Sequence, residues 1–326
     1  MNKGIVIGID GGGTFTRVAI ADMNGHLLAF SKKAGSHPEK NQDPEGNVKS
    51  AMAEALQKAN RQAVDVHYIA CGFAGLDHPD DKKWANKYTS LSGLNAPKSL
   101  LNDAEIAQYG AFLGEEGIIA IAGTGSIVLG KNEEGKVIRN YDFHHDSLAG
   151  ARYLSYEAIY DIITQKNTQE DQKFIKAVLE YWGTKNLDSL RLMASQGFLS
   201  NHIEAVQKLS KMSSIVVHFA QQGSPVAYSS CLKVINSLAR GIHLVSSMFS
   251  SQKVPLSFSG GVITSPFMTN LMKQHLASSG QNKKEFLYKE PTLPPVLGAV
   301  LYAYNKLGIS FDEPFVKRMK LSFKCE

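Results

Sequence analysis

The sequence has few cysteines and no long hydrophobic run, and both absences exclude classes of protein. Its three cysteines, Cys71, Cys231 and Cys325, are too few and too dispersed for a disulfide framework. No CxxC pair indicates structural zinc or an iron–sulfur cluster. No apolar run approaches the length of a membrane span, and the chain enters a strand without a basic leader. We therefore expect a cytoplasmic protein with no membrane partner.

The sequence also lacks a concentration of charge of one sign. Its 35 Lys and Arg against 30 Asp and Glu leave a net charge of +5, and the cations are scattered. This distribution argues against a nucleic-acid partner. The length of 326 residues and the hydrophobic content of 43% favour a soluble globular protein of two domains.

The predicted elements occur in one order twice. An apolar strand from Gly4 is followed by a glycine turn, two more strands joined at Asn24-Gly25, and then alternating helices and strands. The stretch after Glu116 repeats this order, with a helical insert at about 148–250. Such duplication predicts two like α/β domains, 1–117 and 118–306, that face a shared cleft.

Two glycine-rich turns, Asp10–Thr14 and Gly123–Ser126, occupy matching positions of the two halves. Their glycines are Gly11, Gly12, Gly13, Gly123 and Gly125. Glycine at positive φ lets main-chain N–H groups converge on an anion, and Thr14, Thr124 and Ser126 add hydroxyl donors. Neither turn matches a P-loop or leads directly into a helix as in a Rossmann fold. Two such turns favour phosphate binding over simple relief of backbone strain.

Two aspartates follow predicted strands. Asp10 precedes the first turn, where a carboxylate beside polyphosphate predicts a bound Mg²⁺; an Asx-turn is the alternative. Asp103 precedes a helix, so it or Asn102 could be the N-cap. Alternatively, Asp103 orients an acceptor hydroxyl and takes its proton during phosphoryl transfer.

A third glycine turn lies in the stretch SFSGGVITSPF, residues 257–267. Gly260 and Gly261 would let a flat ligand lie against the backbone, and an adenine ring is the obvious candidate.

Six stretches together resemble the N-acetylglucosamine kinase and BadF/BadG/BcrA/BcrD ATPase-like family of the actin-like ATPase superfamily. They are GIDGGGTFTRVAIAD, CGFAGLDHPDD, LLNDAEIAQYGAF, IAIAGTGSIVLG, SFSGGVITSPF and PTLPPVLGAVLYA. They span nearly the whole chain in the family's order. The resemblance implies duplicated actin-like (ribonuclease H-like) domains, each a mixed five-stranded sheet with helices.

The resemblance also implies roles for particular residues. The first two turns would bind the phosphates of ATP, and Gly260 with Gly261 would border adenosine. Asp103 would be the catalytic base, with Asn102 beside it at the substrate. The tail after Leu307 would pack back on the first domain, and the protein would form a homodimer.

The stretch NYDFHHDSLAGARY differs from the family pattern. Family sugar kinases usually carry Gly-Trp-Gly and then Gly-Asp-Glu-Gly-Ser there, whereas this chain has Leu148-Ala149 in place of Asp-Glu. Asp146 is the candidate replacement. His144 and His145 either enter the sugar pocket or are exposed loop residues.

The family asparagine that contacts an N-acetyl group also has no clear match. His37 and Asn41 in GSHPEKNQDPEG are the candidates in its place. We expect an ATP- and Mg²⁺-dependent kinase acting on an amino sugar such as N-acetylglucosamine or glucosamine. The alternatives are a regulator that binds ATP and sugar with little or no catalysis, and an ATPase driven by a protein partner.

Overall fold

A computed structural model describes residues 3–164, 166–278 and 284–323. The chain divides into two compact units. The first unit contains the residues up to Gly117 together with those from Glu290 onward, and the second unit is Ile118–Lys289.

The first unit is built on a five-stranded sheet. Its first eight elements are β1 (Ile5–Gly11), β2 (Phe15–Asp22), β3 (Leu27–Ala34), α1 (Pro44–Lys58), β4 (Val66–Phe73), α2 (Lys82–Tyr88), β5 (Lys98–Asn102) and α3 (Asp103–Phe112). The strand order is β3-β2-β1-β4-β5. Strands β1, β2 and β3 form an antiparallel meander, whereas β4 and β5 continue the sheet parallel to β1.

Local signals in the sequence set these boundaries. Gly25 follows Asn24 in the β2–β3 connection and has a φ of 85°, a conformation that glycine adopts without strain. Asp43 caps α1 by accepting a hydrogen bond of 2.9 Å from the Gly46 amide to its Oδ1, and Pro44 follows at the first helical position.

The second unit carries the second sheet and the helical insert. Its elements are β6 (Gly117–Ala122), β7 (Ser126–Lys131), β8 (Val137–Arg139), α4 (Ala151–Ile163), α5 (Gln172–Trp182), α6 (Leu187–Ser195), α7 (His202–Gln221), α8 (Pro225–Ser246), β9 (Lys253–Ser259), α9 (Pro266–Ser278) and β10 (Glu285–Tyr288). The sheet order is β10-β9-β6-β7-β8. In both sheets the first strand of the unit lies in the centre, with the second and third strands on one side of it and the fourth and fifth on the other. This shared order confirms the predicted duplicated fold.

The insert forms the core of the second unit. Helices α4, α7 and α8 pack on one another, and α8 also covers β7. Leu154, Leu209 and Leu238 are fully buried among them. The apolar periodicity of this stretch is therefore accounted for by a helical core.

The remaining helices, α10 (Pro295–Lys306) and α11 (Glu313–Ser322), belong to the first unit. We expected the second domain to extend to residue 306, but the boundary lies at residues 289 and 290. Glycines explain the difference. A Cβ at Gly8 of β1 would lie 2.6 Å from Val296 O, and one at Gly298 would lie 2.1 Å from Ile106 O. These absent side chains let α10 lie directly on β1 and α3.

The tail also contacts the first unit. Tyr304 donates a hydrogen bond from its hydroxyl to Asp22 O, and its ring meets Phe315 edge-on at 5.1 Å. The Leu27 amide donates to Ser322 Oγ at 3.1 Å. These contacts attach α11 to the β2–β3 hairpin.

Cys71 and Cys231 are buried free thiols, and burial raises the pKa of each to about 12. Cys325 lies outside the described residues. Among the helices that the structure describes, none combines the length and apolar character needed to cross a bilayer.

Candidate functional site

The first unit gathers its candidate residues at one edge of its sheet. Gly11 of β1 pairs with Phe73 of β4, and Phe73 pairs with Asn102 of β5, so three parallel strands end in one row. Loops at the carboxyl ends of parallel strands are where α/β proteins place their ligand sites. The first glycine turn and Asp103 follow directly from this row.

Each glycine carbonyl of the first turn accepts a hydrogen bond from the protein. Gly11 O accepts from the Ala74 amide at 2.9 Å, and Gly12 O accepts from the Ser36 amide at 3.0 Å. Gly13 O accepts from Asn41 Nδ2 at 3.2 Å. Within the part of the chain that the structure describes, the Gly13 amide donates to no protein acceptor. A free donor next to fixed carbonyls is what an anion site requires.

The expectation of positive φ at the glycine turns is wrong for both phosphate turns. Among the turn glycines only Gly260 has a positive φ, of 92°. For the other turn glycines, the relevant property is the space around the position that a Cβ would occupy. A Cβ at Gly11 would lie 2.2 Å from Phe73 Cδ1, whereas a Cβ at Gly125 would meet nothing within 4 Å. Gly11 is therefore required by packing, and Gly125 presents bare backbone to open space.

Asp10 is a buried carboxylate at the end of β1, with 7% of its surface exposed. Arg17 of β2 donates to Asp10 Oδ2 at 3.0 Å. Burial raises the pKa of Asp10, and the Arg17 guanidinium opposes that rise. No described residue donates to Oδ1. A carboxylate oxygen left in this way, beside a turn that can take phosphate, fits the chemistry of Mg²⁺.

Asp103 is the first residue of α3 and is half-buried. Burial raises the pKa of Asp103 to about 7, and the charges of Asp10 and Asp77 add to the rise. The Ala104 amide and the Lys40 cation oppose it. A carboxyl group that titrates near neutrality suits a general base.

The N-cap of α3 is Asn102, which separates the two alternatives left open for Asp103. Asn102 Oδ1 accepts from the Ala104 amide at 2.9 Å. Its Nδ2 donates to Asp77 Oδ1 at 3.0 Å and to Leu76 O at 3.4 Å. The capping acceptor and both amide protons are therefore engaged in the protein. The expected side-chain contact of Asn102 with substrate is thus replaced by a structural role that leaves Asp103 free of the cap.

His37 and Asn41 lie on the segment that follows β3. Asn41 Nδ2 donates to His37 O at 3.2 Å as well as to Gly13 O. His37 Nδ1 accepts from the Glu39 amide at 3.2 Å, and a Cβ at Gly75 would lie 3.0 Å from His37 Nε2. The segment therefore lies against both the first turn and the loop that follows β4.

In the second unit the second and third glycine turns meet. Strands β6 and β9 are parallel neighbours, with Ile121 paired to Ser259. A Cβ at Gly123 would lie 3.6 Å from the Gly260 Cα, and the Val262 amide donates to Ala122 O at 3.0 Å. A Cβ at Gly261 would meet nothing within 4 Å. The two turns are therefore in direct contact, and Gly125 and Gly261 are the positions in them where a Cβ would meet nothing within 4 Å.

Residues 144–150 wrap around the second turn. Ser126 donates its hydroxyl proton to Ser147 O, and its Oγ accepts from the Ala149 amide at 3.1 Å. The expected donation from the Ser126 hydroxyl to phosphate is therefore wrong, because that hydroxyl has a single proton. A Cβ at Gly150 would lie 2.8 Å from Thr124 O, so this glycine lets the loop press against the turn.

The other candidates of this loop differ in exposure. His144, Asp146 and Leu148 are exposed, and Leu148 has 50% of its surface open to solvent. His145 is half-buried, and burial lowers the pKa of its imidazole. Asp146 is thus available to a ligand, whereas Ala149 is fully buried.

Three residues of the first site were missed by sequence reasoning. Arg17 pairs with Asp10, Asp77 bonds to Asn102, and a Cβ at Gly35 would lie 2.4 Å from Gly13 O. Asp77 could have been found, since it follows β4 as Asp103 follows β5, at the same edge of the sheet. The other two act through contacts that no sequence pattern encodes.

Comparisons with known proteins find relatives that are sugar kinases. An N-acetyl-D-glucosamine kinase of Dictyostelium discoideum is 29% identical, over 94% of this chain and 99% of its own length. An N-acetylmuramic acid/N-acetylglucosamine kinase of Clostridium acetobutylicum is 27% identical, over 79% and 85%. A putative N-acetylglucosamine kinase from Chromobacterium violaceum superposes with a TM-score of 0.70 at 20% identity, over 91% and 98%.

The sequence profile of the BadF/BadG/BcrA/BcrD ATPase family matches residues 7–303. This match spans both sheets and all three glycine turns. The chain belongs to the BadF/BadG/BcrA/BcrD ATPase family.

Proposed function

We propose that the protein is an ATP-dependent kinase that transfers the γ-phosphoryl group of ATP to a hydroxyl of a small sugar. The observation that carries the proposal is Asp103, a carboxylate left free by the cap, with a pKa of about 7 and at the same sheet edge as a glycine turn. Family membership and the sugar kinases among the relatives support the same reaction.

In this reaction Asp103 accepts the proton of the acceptor hydroxyl. The transition state of phosphoryl transfer is loose, so the base acts late and its main task is to orient the hydroxyl. The charges of Asp10 and Asp77 raise the affinity of Asp103 for a proton. Asp103 is therefore a stronger base than an ordinary aspartate, and about half of it is still ionised at pH 7.

The glycine turns bind nucleotide in this proposal. The amides of Gly13 and Gly125 donate to phosphate oxygens, and Gly260 with Gly261 border the adenosine. Asp10 holds Mg²⁺, which when bound neutralises charge on the phosphates. Arg17 keeps the Asp10 carboxylate oriented at the end of β1.

The acceptor that we propose is an amino sugar, by analogy with the two curated relatives. Exposed Asp146, on the loop around the second turn, is the candidate for a contact with sugar hydroxyls. The stretch Leu148-Ala149, which replaces Asp-Glu, favours one rival, a regulator that binds ATP and sugar without turnover.

The test is coupled ADP release with Mg-ATP against N-acetylglucosamine, glucosamine, N-acetylmuramic acid, N-acetylmannosamine, glucose and no acceptor. We expect release that requires an amino sugar. Asp103→Asn should lower kcat about 100- to 10,000-fold while nucleotide binding persists, because only the base is removed. ATP binding with no sugar-dependent release would instead identify the regulator, and release without sugar would identify an ATPase.

A further inference from the structure

The segment Gly35–Asn41, called the tether segment below, lies behind the first glycine turn. A Cβ at Gly35 would lie 2.4 Å from Gly13 O and 2.6 Å from Gly13 C, so the two peptides are in direct contact. Ser36 donates its amide to Gly12 O at 3.0 Å. The turn therefore rests on a second layer of backbone that β3 delivers.

Asn41 closes this contact from the other end of the tether segment. Its Nδ2 donates to Gly13 O and to His37 O, each at 3.2 Å. A carboxamide has two N–H donors, so both protons point back into the protein. The side chain joins the Gly13–Thr14 peptide to the tether segment without using any other residue.

The contacts continue from the tether segment to the N-terminus of α3, where Asp103 lies. The His37 ring lies over Gly75, where a Cβ would be 3.0 Å from Nε2 and φ is 83°. Two residues on, Asp77 accepts from Asn102, the cap of the helix that Asp103 begins. One set of direct contacts thus runs from the first turn to the helix of Asp103.

We propose that Asn41 is a positioning residue that fixes the Gly13–Thr14 peptide, and with it the first turn, in the arrangement that binds phosphate before any sugar binds. The inference rests on the proposed function, since it takes the first turn as a phosphate site. On this inference, mutation of Asn41 changes the affinity for ATP. If Asn41 instead contacted an N-acetyl group directly, its mutation would change the preference among sugars. The amide protons of Asn41 are already donated to Gly13 O and His37 O, so the side chain has no proton left to donate to an acetyl oxygen.

The experiment measures binding of Mg-AMPPNP by calorimetry without sugar, on the full chain. Asn41→Ala removes the hydrogen bonds to Gly13 O and His37 O and should weaken binding about three- to tenfold. Asn41→Asp should weaken it further, since a carboxylate would face two carbonyl oxygens and lie near the phosphates. A thermal melt of each variant shows that it is folded under the conditions used.

The matched control is Asn47→Ala. Asn47 Nδ2 donates to Gly35 O at 2.8 Å, so this variant loosens the same segment without touching Gly13. It should stay within about twofold of the wild type in AMPPNP affinity. Equal weakening by Asn47→Ala and Asn41→Ala would overturn the specific role of Asn41.

Steady-state kinetics supply the second readout. Asn41→Ala should raise KM for ATP and leave the order of acceptor sugars unchanged. Unchanged nucleotide affinity with a reordered sugar panel would overturn the inference in favour of direct recognition, and the proposed kinase would stand. A wild type that binds no AMPPNP would overturn the proposed function and this inference together.

Discussion

The candidate residues of the two units differ in charge. At the first sheet edge lie the carboxylates Asp10, Asp77 and Asp103, together with the Arg17 cation. Residues 123–126 and 260–261 of the second unit carry no charge at all. In the proposed kinase the first copy would therefore supply the carboxylates for proton and metal chemistry, and the second copy would supply uncharged backbone.

The two turns also use glycine for different reasons. Gly11 is surrounded, since a Cβ would strike Phe73 at 2.2 Å and Ser36 Oγ at 2.5 Å. Gly125 has nothing within 4 Å of the same position. A similar motif in the sequence thus reflects close packing within the protein in one unit and open space beside the backbone in the other.

The largest expected effect is on stability, from Gly11→Ala. The new methyl group would meet the ring of Phe73, which is fully buried and held by Trp84 and Tyr88 in edge-on contacts. We expect the free energy of unfolding to fall by about 1–3 kcal/mol. Urea denaturation measures it, and Gly125→Ala is the matched control, expected within about 0.5 kcal/mol of the wild type. Equal losses in both variants would contradict the comparison.

Gly125→Ala should instead affect nucleotide affinity. Its methyl group would occupy the space that we assign to phosphate, so KM for ATP should rise about tenfold, or about 1.4 kcal/mol. Initial rates at varied ATP, with saturating sugar, give the value. An unchanged KM would remove the second turn from the phosphate site.

Asp103→Asn should raise stability at pH 8 although it lowers kcat. The folded-state pKa of Asp103 is raised from 3.8 to about 7, so ionisation penalises the folded state as pH rises through that interval. At pH 8 the variant lacks this penalty, and its Tm should be higher by a few degrees. Near pH 3.5 the difference should vanish, because wild-type Asp103 is then largely protonated in both states. Melts at both pH values test the sign, and a variant less stable at pH 8 would contradict it.

The smallest expected effect is a shift of the acid limb of the pH–rate profile. Wild-type kcat/KM should rise with pH as Asp103 ionises, with the midpoint of the rise near pH 7. Asp77→Asn keeps Oδ1 as the acceptor for Asn102 but removes a negative charge that raises the pKa of Asp103. The limb should therefore move to lower pH, by less than about one unit. A move to higher pH would show that Asp77 acts in another way.

The local elements were predictable because their signals are local. Asp43-Pro44 begins α1 and Asn24-Gly25 marks the β2–β3 connection, since caps and turns depend on residues within a few positions. Asp10, Asp103 and the three glycine turns were found by their places after strands. The family resemblance implies a substrate contact for Asn102, whereas in the structure Asn102 caps α3 and forms a capping box with Glu105. Sequence spacing allowed both readings.

By itself the sequence determined the duplicated order of strands and helices, the positions of the turns and the family. Tertiary structure alone decided that α10 lies on β1 through Gly8 and Gly298, which are 290 residues apart. It also decided that Arg17 reaches Asp10, that Asn41 binds Gly13 O and that the pKa of Asp103 rises to about 7. The physical reason is that close packing, burial and Coulomb interactions depend on distances in space, whereas turns and caps depend on neighbours along the chain.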